Sequence, residues 1–453
     1  MPRASARYRL AAAAAGVLLA GSLLLVLHGA LHPAAADRFV DTEVYQLGAH
    51  AVLHHHDPYV PVSTHGGAFT YPPLAAYLFT VLLPLGRTAA GTVLAVLTVL
   101  TAAAVIALCL SRAGGSSRAP RAGSRARAAR AVLPWTLAVT AVCLPLQPLT
   151  NTVSFGQIGV LLAGLVTVDL LTSTRLPRGV LIGIAAAIKL TPALFLVHLW
   201  VSGQRRAAIT GAATAAGITA AAAALFPAAS RTYWTTALWQ TGRVGASDGP
   251  RNRSLWGLTQ RLLPDHTAAL TVALATGALL TGWGLVRARR CHRRGDDVTA
   301  LVVVGCLTCL DSPITWSHHL GWLVAALVLA VARRGRTLVL APLLLWAVLP
   351  YPALFTDTVA SQPNVQVLAL IAAVLALPAQ QARRRPATVA ADGSPVTARL
   401  SGQTSSSAGR SSAAGVGCRP TDLAVPTPAG VLDPRSMSRQ TRTDLGTLRE
   451  WRS

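Results

Sequence analysis

The chain has 453 residues, of which 52% are hydrophobic and 12% charged, and its mean hydropathy is +0.49. Soluble globular domains carry about twice that charged fraction, which excludes water as the main solvent of the protein surface. The formal net charge of +24 would suggest nucleic acid for a soluble chain. Here the basic residues fall between apolar runs and in the tail, as the positive-inside bias of membrane proteins requires, so no nucleic-acid partner is expected.

Arg3, Arg7 and Arg9 precede a first apolar stretch from Leu10 to Leu27, and Ala34, Ala35 and Ala36 follow it. That order resembles a secretory signal with a small-residue cleavage site, but the stretch is long for a signal core and many more follow. A retained first helix with a cytoplasmic N-terminus is the expectation. Apolar runs recur as far as Leu377, each near the ~20 residues that span a bilayer core of about 30 Å. Arginine clusters at 3–9, 112–130, 175–178, 205–206, 287–294, 333–336 and 383–385 mark the cytoplasmic side. The loops 32–70, 145–155, 228–265, 311–317 and 351–364 then lie outside.

These features predict an all-α fold, a polytopic transmembrane bundle of about 10–13 membrane helices including broken or re-entrant ones. Breaks are expected near Pro84–Arg87 and at Lys189–Pro192. Broken helices at membrane depth are tolerated only where protein or a water-filled cavity covers the freed backbone groups, so the breaks point toward a cavity. Residues 1–380 form the expected membrane domain. From 381 to 453 Ser, Thr, Arg, Pro and Gly dominate, a composition that cannot bury enough surface to fold. A disordered cytoplasmic tail is expected there.

The first outer loop gathers Asp37, Asp41, Glu43, His50, His54, His55, His56, Asp57 and His65. General acid–base chemistry needs a side chain that exchanges a proton, and this loop is the densest supply of carboxylates and imidazoles; an ordinary solvated loop accounts for the same composition. The His54–Asp57 run has metal-binding side chains, but adjacent histidines do not share one helix face, and no metal site is expected. Cys306 and Cys309 form a C-x-x-C inside an apolar run with no second pair at zinc spacing. They read as two small buried residues. Lys189 is the one lysine in the chain and sits in an apolar run, where ionisable groups are costly and functional. A compact ammonium is a phosphate partner; snorkelling to the interface is the bland alternative. Asp311 to His319 joins two apolar runs at the membrane surface, where Trp316 serves as an interface anchor and His318 and His319 add hydrogen-bonding capacity. Asp169, near a cytoplasmic helix end, reads as structural. In the loop 228–265, Tyr233, Trp234, Trp239 and Trp256 alternate with Arg231, Arg243, Arg251, Arg253 and Arg261. That mixture suits sugar and phosphate binding and equally an amphipathic segment in the headgroups.

In order along the chain stand Asp41–Tyr45, Asp57-Pro58-Tyr59, Phe69–Leu74 with Tyr71, Phe155-Gly156-Gln157, Ile188–Pro192, Asn252–Gly257 and Ser312–His319. Together they resemble the bacterial polyprenol-phosphate-mannose-dependent α-1,2-mannosyltransferases, glycosyltransferase family 87, over about Leu10 to Leu377. The resemblance implies a GT-C type membrane fold and inverting transfer of mannose from polyprenyl-phosphate-mannose to a lipid- or glycan-linked acceptor on the outer face. It implies Asp41 as general base, and Lys189, His318 and His319 as stabilisers of the leaving phosphate. Tyr45, Tyr71, Gln157 and Asn252 become substrate-binding residues, and no cofactor, nucleotide or metal is needed. Two departures stand out: His54–His56 replaces a Gly before the Pro-Tyr pair, and the family's Asn-Gln-Ser reads Asn252-Arg253-Ser254. The alternatives are the same chemistry with a polyprenyl-phosphate arabinose or glucose, or a transporter, since broken helices and an intramembrane Lys serve transport too.

Overall fold

The computed structural model describes residues 2–31, 38–63, 67–113, 122–249, 251–333, 340–349, 362–377 and 379. The chain divides into two units, Met1–Arg384 and Arg385–Ser453, and every element below belongs to the first. Asp37, His65, Cys418 and the expected tail lie outside the described residues.

The fold is all-helical and polytopic, as expected. Among the described residues no strand forms, and the β pairing is one isolated bridge between Val62 and Ala68. The N-terminal elements are α1 (Pro2–Leu31), α2 (Val40–Leu53), α3 (Pro73–Leu78), α4 (Gly86–Ala113), α5 (Ala122–Cys143), α6 (Gln147–Phe155) and α7 (Gly159–Leu171). The middle of the chain forms α8 (Val180–Ile188), α9 (Ala193–Val201), α10 (Arg205–Leu225), α11 (Pro227–Thr232), α12 (Leu255–Leu262) and α13 (His266–Arg293). Then follow α14 (Asp297–Leu310), α15 (Gly321–Ala332), α16 (Leu340–Val348) and α17 (Gln362–Ala376). Among the described residues four stretches are long and apolar enough to cross a membrane: Tyr8–Val26, Pro73–Arg112, Arg205–Leu225 and His266–Arg293. Ala131–Cys143 with Gln147–Phe155, bent by 81°, makes a fifth if taken as one span. Other apolar runs form shorter helices, because turns and breaks interrupt them.

Both expected breaks are present, each with a local cause. After α3 the chain runs through a 3₁₀ segment, Phe79–Leu85, that contains Pro84, and Gly86 turns it with φ 64°. Between α8 and α9, Lys189 is extended (φ −147°, ψ 131°) and Pro192 starts the next helix. Proline cannot donate a backbone N–H and disfavours helix at the residue before it.

The centre of the bundle is α14, whose residues from Val298 to Leu310 are nearly all buried. An all-round apolar helix belongs in such a place, and α14 packs against α13, α15 and α17 while touching α7 and α9. Within lipid, helices associate through close packing rather than through exclusion of water. The α8–α10 contact shows this: a Cβ on Gly183 would overlap the Gly211 carbonyl, and one on Gly211 would press on the Gly179 carbonyl. Asp169, at the end of α7, reads correctly as structural. Its carboxylate accepts from Gly179 N (2.9 Å) and Ile182 N (3.0 Å), satisfying donors that the first turn of α8 leaves free. Asp296 works on the same plan, capping α14 through Thr299 and pairing with Arg333 at 2.7 Å.

Candidate active site

The site begins with an unusual backbone. Phe39, immediately before α2, has φ 54° and is 1% exposed; its N–H donates to the Ser154 carbonyl at 2.7 Å. A bulky residue in the left-handed region costs about 1–3 kcal/mol and clusters at functional sites. The next turn carries Asp41 and Glu43, where the positive end of a helix favours carboxylates. Glu43 is ion-paired with Arg87 at 2.7 Å. Asp41 keeps one oxygen, Oδ2, sealed from solvent without a hydrogen bond. Burial raises its pKa from 3.8 to about 6, against the pull of a Gln157 hydrogen bond and the Lys189 charge.

Tyr45 lies four residues on, hence on the same helix face. Its hydroxyl donates to Gln157 Oε1 at 2.9 Å and lies 3.1 Å from the Tyr71 hydroxyl, which itself is 3.3 Å from Gln157 Oε1. Two phenols therefore occupy the Gln157 carbonyl oxygen, leaving its amide N–H groups to face Asp41. Gln157 reaches this position because Gly156 ends α6 in the left-handed conformation, φ 68°. A Cβ on Gly156 would overlap Thr42 Oγ1, next to Asp41. Gly156→Ala is expected to cost about 1–3 kcal/mol and to displace the start of α2. A lowered Tm in detergent together with lost activity checks this; unchanged Tm and activity contradict it.

Over the ring of Tyr71 stands Lys189. Its Nζ lies 5.2 Å from the centre of the Tyr71 ring and 3.1 Å from His319 Nε2. His319 Nδ1 accepts the Trp316 backbone N–H at 3.1 Å, so the ring is neutral and its proton sits on Nε2. Two N–H donors, ammonium and imidazole, thus face each other with Nδ1 already occupied. An anionic oxygen lodged against both completes such a pair. His318 is buried, with neither ring nitrogen hydrogen-bonded; its ring meets Phe155 edge-on at 5.6 Å and His319 at 4.4 Å. From Lys189, His318 and His319 a largely apolar cavity of about 190 Å³ extends between helices, past Leu162 and Phe195 to Ile106, Cys109 and Val328.

Most of the residues singled out from the sequence converge. Asp41, Tyr45, Tyr71, Gln157, Lys189, His318 and His319 form one continuous network around Tyr71. Asn252 stands apart: its amide is fully engaged with other parts of the protein (Ser247, Pro313, Ser254 and Thr315). His50, in the last turn of α2, and His54, His55 and His56 beyond it are exposed, His55 with φ 57°, and do not enter the network. Cys306 is buried in the α14 core, whereas Cys309 packs beside the site, its thiol 3.3 Å from the His319 carbonyl. Thr315, which donates to the Cys309 carbonyl at 2.6 Å, was not distinguished by sequence because a threonine in a loop carries no chemical signal of its own.

A buried carboxylate that feels the Lys189 charge, beside a largely apolar cavity lined by Lys189, His318 and His319 inside a multi-pass helical bundle, is the makings of a membrane-embedded enzyme. The chain belongs to glycosyltransferase family 87, whose model matches residues 69–313. Tyr71, Gln157, Lys189 and Asn252 fall within that match, while Asp41 and Tyr45 precede it and His318 and His319 follow it. A polyprenol-phosphate-mannose-dependent alpha-(1-2)-phosphatidylinositol mannoside mannosyltransferase of Mycobacterium tuberculosis is 35% identical over 304 residues, 64% of this chain and 69% of the relative. The protein of the same name from Mycolicibacterium smegmatis is 33% identical over 314 residues, 65% and 71% of the two chains. A phosphatidylinositol pentamannoside mannosyltransferase of M. tuberculosis is 31% identical over 301 residues, 64% and 65%. No solved structure matches.

Proposed function

We propose that this glycosyltransferase moves mannose from polyprenyl-phosphate-mannose to a hydroxyl of a glycolipid acceptor of the phosphatidylinositol mannoside kind, inverting the anomeric centre to give an α-(1,2)-mannoside. The observation that carries the reading is a buried carboxylate, Asp41, that feels the charge of Lys189, itself paired with His319 at 3.1 Å as an anion-seeking group. The names of the relatives support the donor and the acceptor class.

In this reading Asp41 takes the proton of the acceptor hydroxyl as its oxygen attacks the anomeric carbon of the β-linked donor. The bond from that carbon to the phosphate oxygen breaks, and the polyprenyl phosphate leaves with the electron pair. Lys189 and His319 meet the charge developing on the leaving oxygen, in the manner of preorganised donors, with His318 packed behind them. Gln157 orients the base, and Tyr45 and Tyr71 hold Gln157 in place through its Oε1. The apolar cavity beyond Lys189 suits the first isoprene units of the donor. Because the leaving group is a lipid phosphate, the reaction needs no nucleotide and no cofactor. The arginine distribution supports a site on the outer face of the cell membrane, both termini in the cytoplasm, and a tail from 381 to 453 separate from the membrane domain.

The test is a transfer assay in nanodiscs with radiolabelled polyprenyl-phosphate-mannose and a panel of mannosylated lipids, without nucleotide sugar or added metal. Labelled acceptor with the new linkage supports the proposal. Transfer only from an arabinose or glucose donor replaces the sugar, and silence with every lipid-phosphate donor overturns the reaction. A pH series on the same assay reads the base. Asp41 must be ionised to accept a proton, and its pKa is raised to about 6, so kcat/KM is expected to climb through pH 6 and level off above it. A rate independent of pH between about 5 and 7 contradicts the base assignment.

A further inference from the structure

The outer element Asn252–Ser254 spends its polar groups on the segment that leads into His319. Asn252 Oδ1 accepts the N–H groups of Thr315 (3.0 Å) and Ser254 (3.1 Å), and its Nδ2 donates to the carbonyls of Ser247 (2.8 Å) and Pro313 (3.0 Å). An amide has two donor hydrogens and two acceptor lone pairs, so this side chain is used up within the protein. Ser254 Oγ adds a bond to the Pro313 carbonyl at 3.1 Å, and the Arg253 N–H donates to the Thr315 carbonyl at 2.7 Å. Space around the clamp is tight as well, since a Cβ on Gly257 would press on the Asn252 side chain.

The consequence lies in one peptide unit. The Thr315 carbonyl and the Trp316 N–H are the two polar ends of the same planar, trans group and point in opposite directions. Holding the carbonyl toward Arg253 therefore aims the N–H at His319 Nδ1, 3.1 Å away. Thr315 is pinned on a third side by its hydroxyl bond to the Cys309 carbonyl, at the end of α14. Were this unit to rotate, Nδ1 would lose its donor and could take the ring proton. Nε2 would then present a lone pair, instead of a proton, to Lys189 and the leaving oxygen.

We propose that Asn252 is a positioning residue for His319: by clamping Pro313 and Thr315 it fixes the peptide unit that confines the imidazole to the tautomer carrying its proton on Nε2. This role rests on the reading of His319 as a donor to the leaving phosphate, and it replaces a direct contact between Asn252 and substrate. Arg253 takes part through its backbone N–H, which any residue except proline supplies at that position. The Gln-to-Arg departure at this element therefore leaves the relay intact, while the Arg253 side chain reaches Gln366 on α17 instead, at 2.8 Å.

Two measurements test it. In the first, Asn252→Ala and His319→Ala are combined in a double-mutant cycle on the transfer rate. Asn252→Ala alone is expected to lower kcat about 10–100-fold, as small misplacements of catalytic groups do, with KM for the lipid-phosphate donor changed less than about threefold. In the His319→Ala background the same change is expected to cost less than about twofold, because coupled residues are non-additive. Equal losses in both backgrounds overturn the positioning role and leave the functional reading standing. Normal transfer by His319→Ala overturns the functional reading first, and this role with it. If Asn252→Ala does not insert, Asn252→Ser, which keeps one acceptor and loses both bonds to Ser247 and Pro313, takes its place in the cycle. The second measurement needs no activity: 15N spectra of histidine-labelled wild-type protein, with His319 assigned by difference against His319→Ala. An unprotonated Nδ1 and a protonated Nε2 are expected, and the reverse pattern overturns the proposal.

Discussion

Asp41→Asn is expected to lower the transfer rate by about 10²–10⁴-fold, the usual contribution of a general base, with normal membrane insertion. The substitution keeps the size and hydrogen-bonding shape of the side chain and removes its ability to take a proton. Stability is expected to hold or rise, because the carboxylate is buried with Oδ2 unpartnered, and an uncharged amide is less costly in that place. The combination separates chemistry from folding: a lower Tm with proportionate loss of activity points to damage, whereas an intact Tm with lost transfer identifies the base. Transfer at the wild-type rate would sink the assignment. The acid limb near pH 6 belongs to the same carboxyl and is expected to be missing from the residual rate of the Asn variant.

Lys189→Met should have the second largest effect, about 10²–10³-fold on kcat, the loss that follows removal of one preorganised donor at a developing oxyanion. Methionine retains the unbranched apolar stem of lysine, one atom shorter, so the break between α8 and α9 and the packing on Tyr71 survive. Lys189→Arg is expected to rescue poorly. A planar guanidinium does not substitute for a compact ammonium, and at 3.1 Å from His319 Nε2 there is little room for it. The readout is steady-state kinetics with varied donor: loss in kcat at saturating donor supports a role in stabilising the leaving group. A change confined to donor KM shows instead that Lys189 contributes only uniform binding. Wild-type kinetics in Lys189→Met would remove it from the site.

Much of this arrangement was legible in the chain itself. Asp41 and Lys189 stood out because ionisable groups are rare in so apolar a sequence, and their cost demands a return. Breaks at Pro84–Arg87 and Lys189–Pro192 could be read from proline chemistry, and the second of them places Lys189 in an extended, non-helical residue. The histidine run His54–His56 drew equal attention by composition, yet it forms an exposed turn away from the network. Its residues are no different in kind from His318 and His319; only their position separates the two sets. The number of full-length spans was harder to read, since an apolar run of given length folds as one long helix or as two short ones at an angle, as α5 and α6 do at 81°.

What the sequence determined by itself is the solvent of the protein, its helical class and the supply of reactive groups, because each follows from composition and local backbone chemistry. The tertiary structure alone decided which of those groups meet. Gln157 turns its carbonyl to Tyr45 and Tyr71 across intervals of 112 and 86 residues, and Lys189 meets His319 across 130. Asn252, expected among the substrate-binding residues, has all four of its hydrogen-bonding positions taken within the protein, two of them by partners more than 60 residues away. Such pairings depend on how helices pack, and packing is a property of the whole bundle that no local stretch of sequence contains.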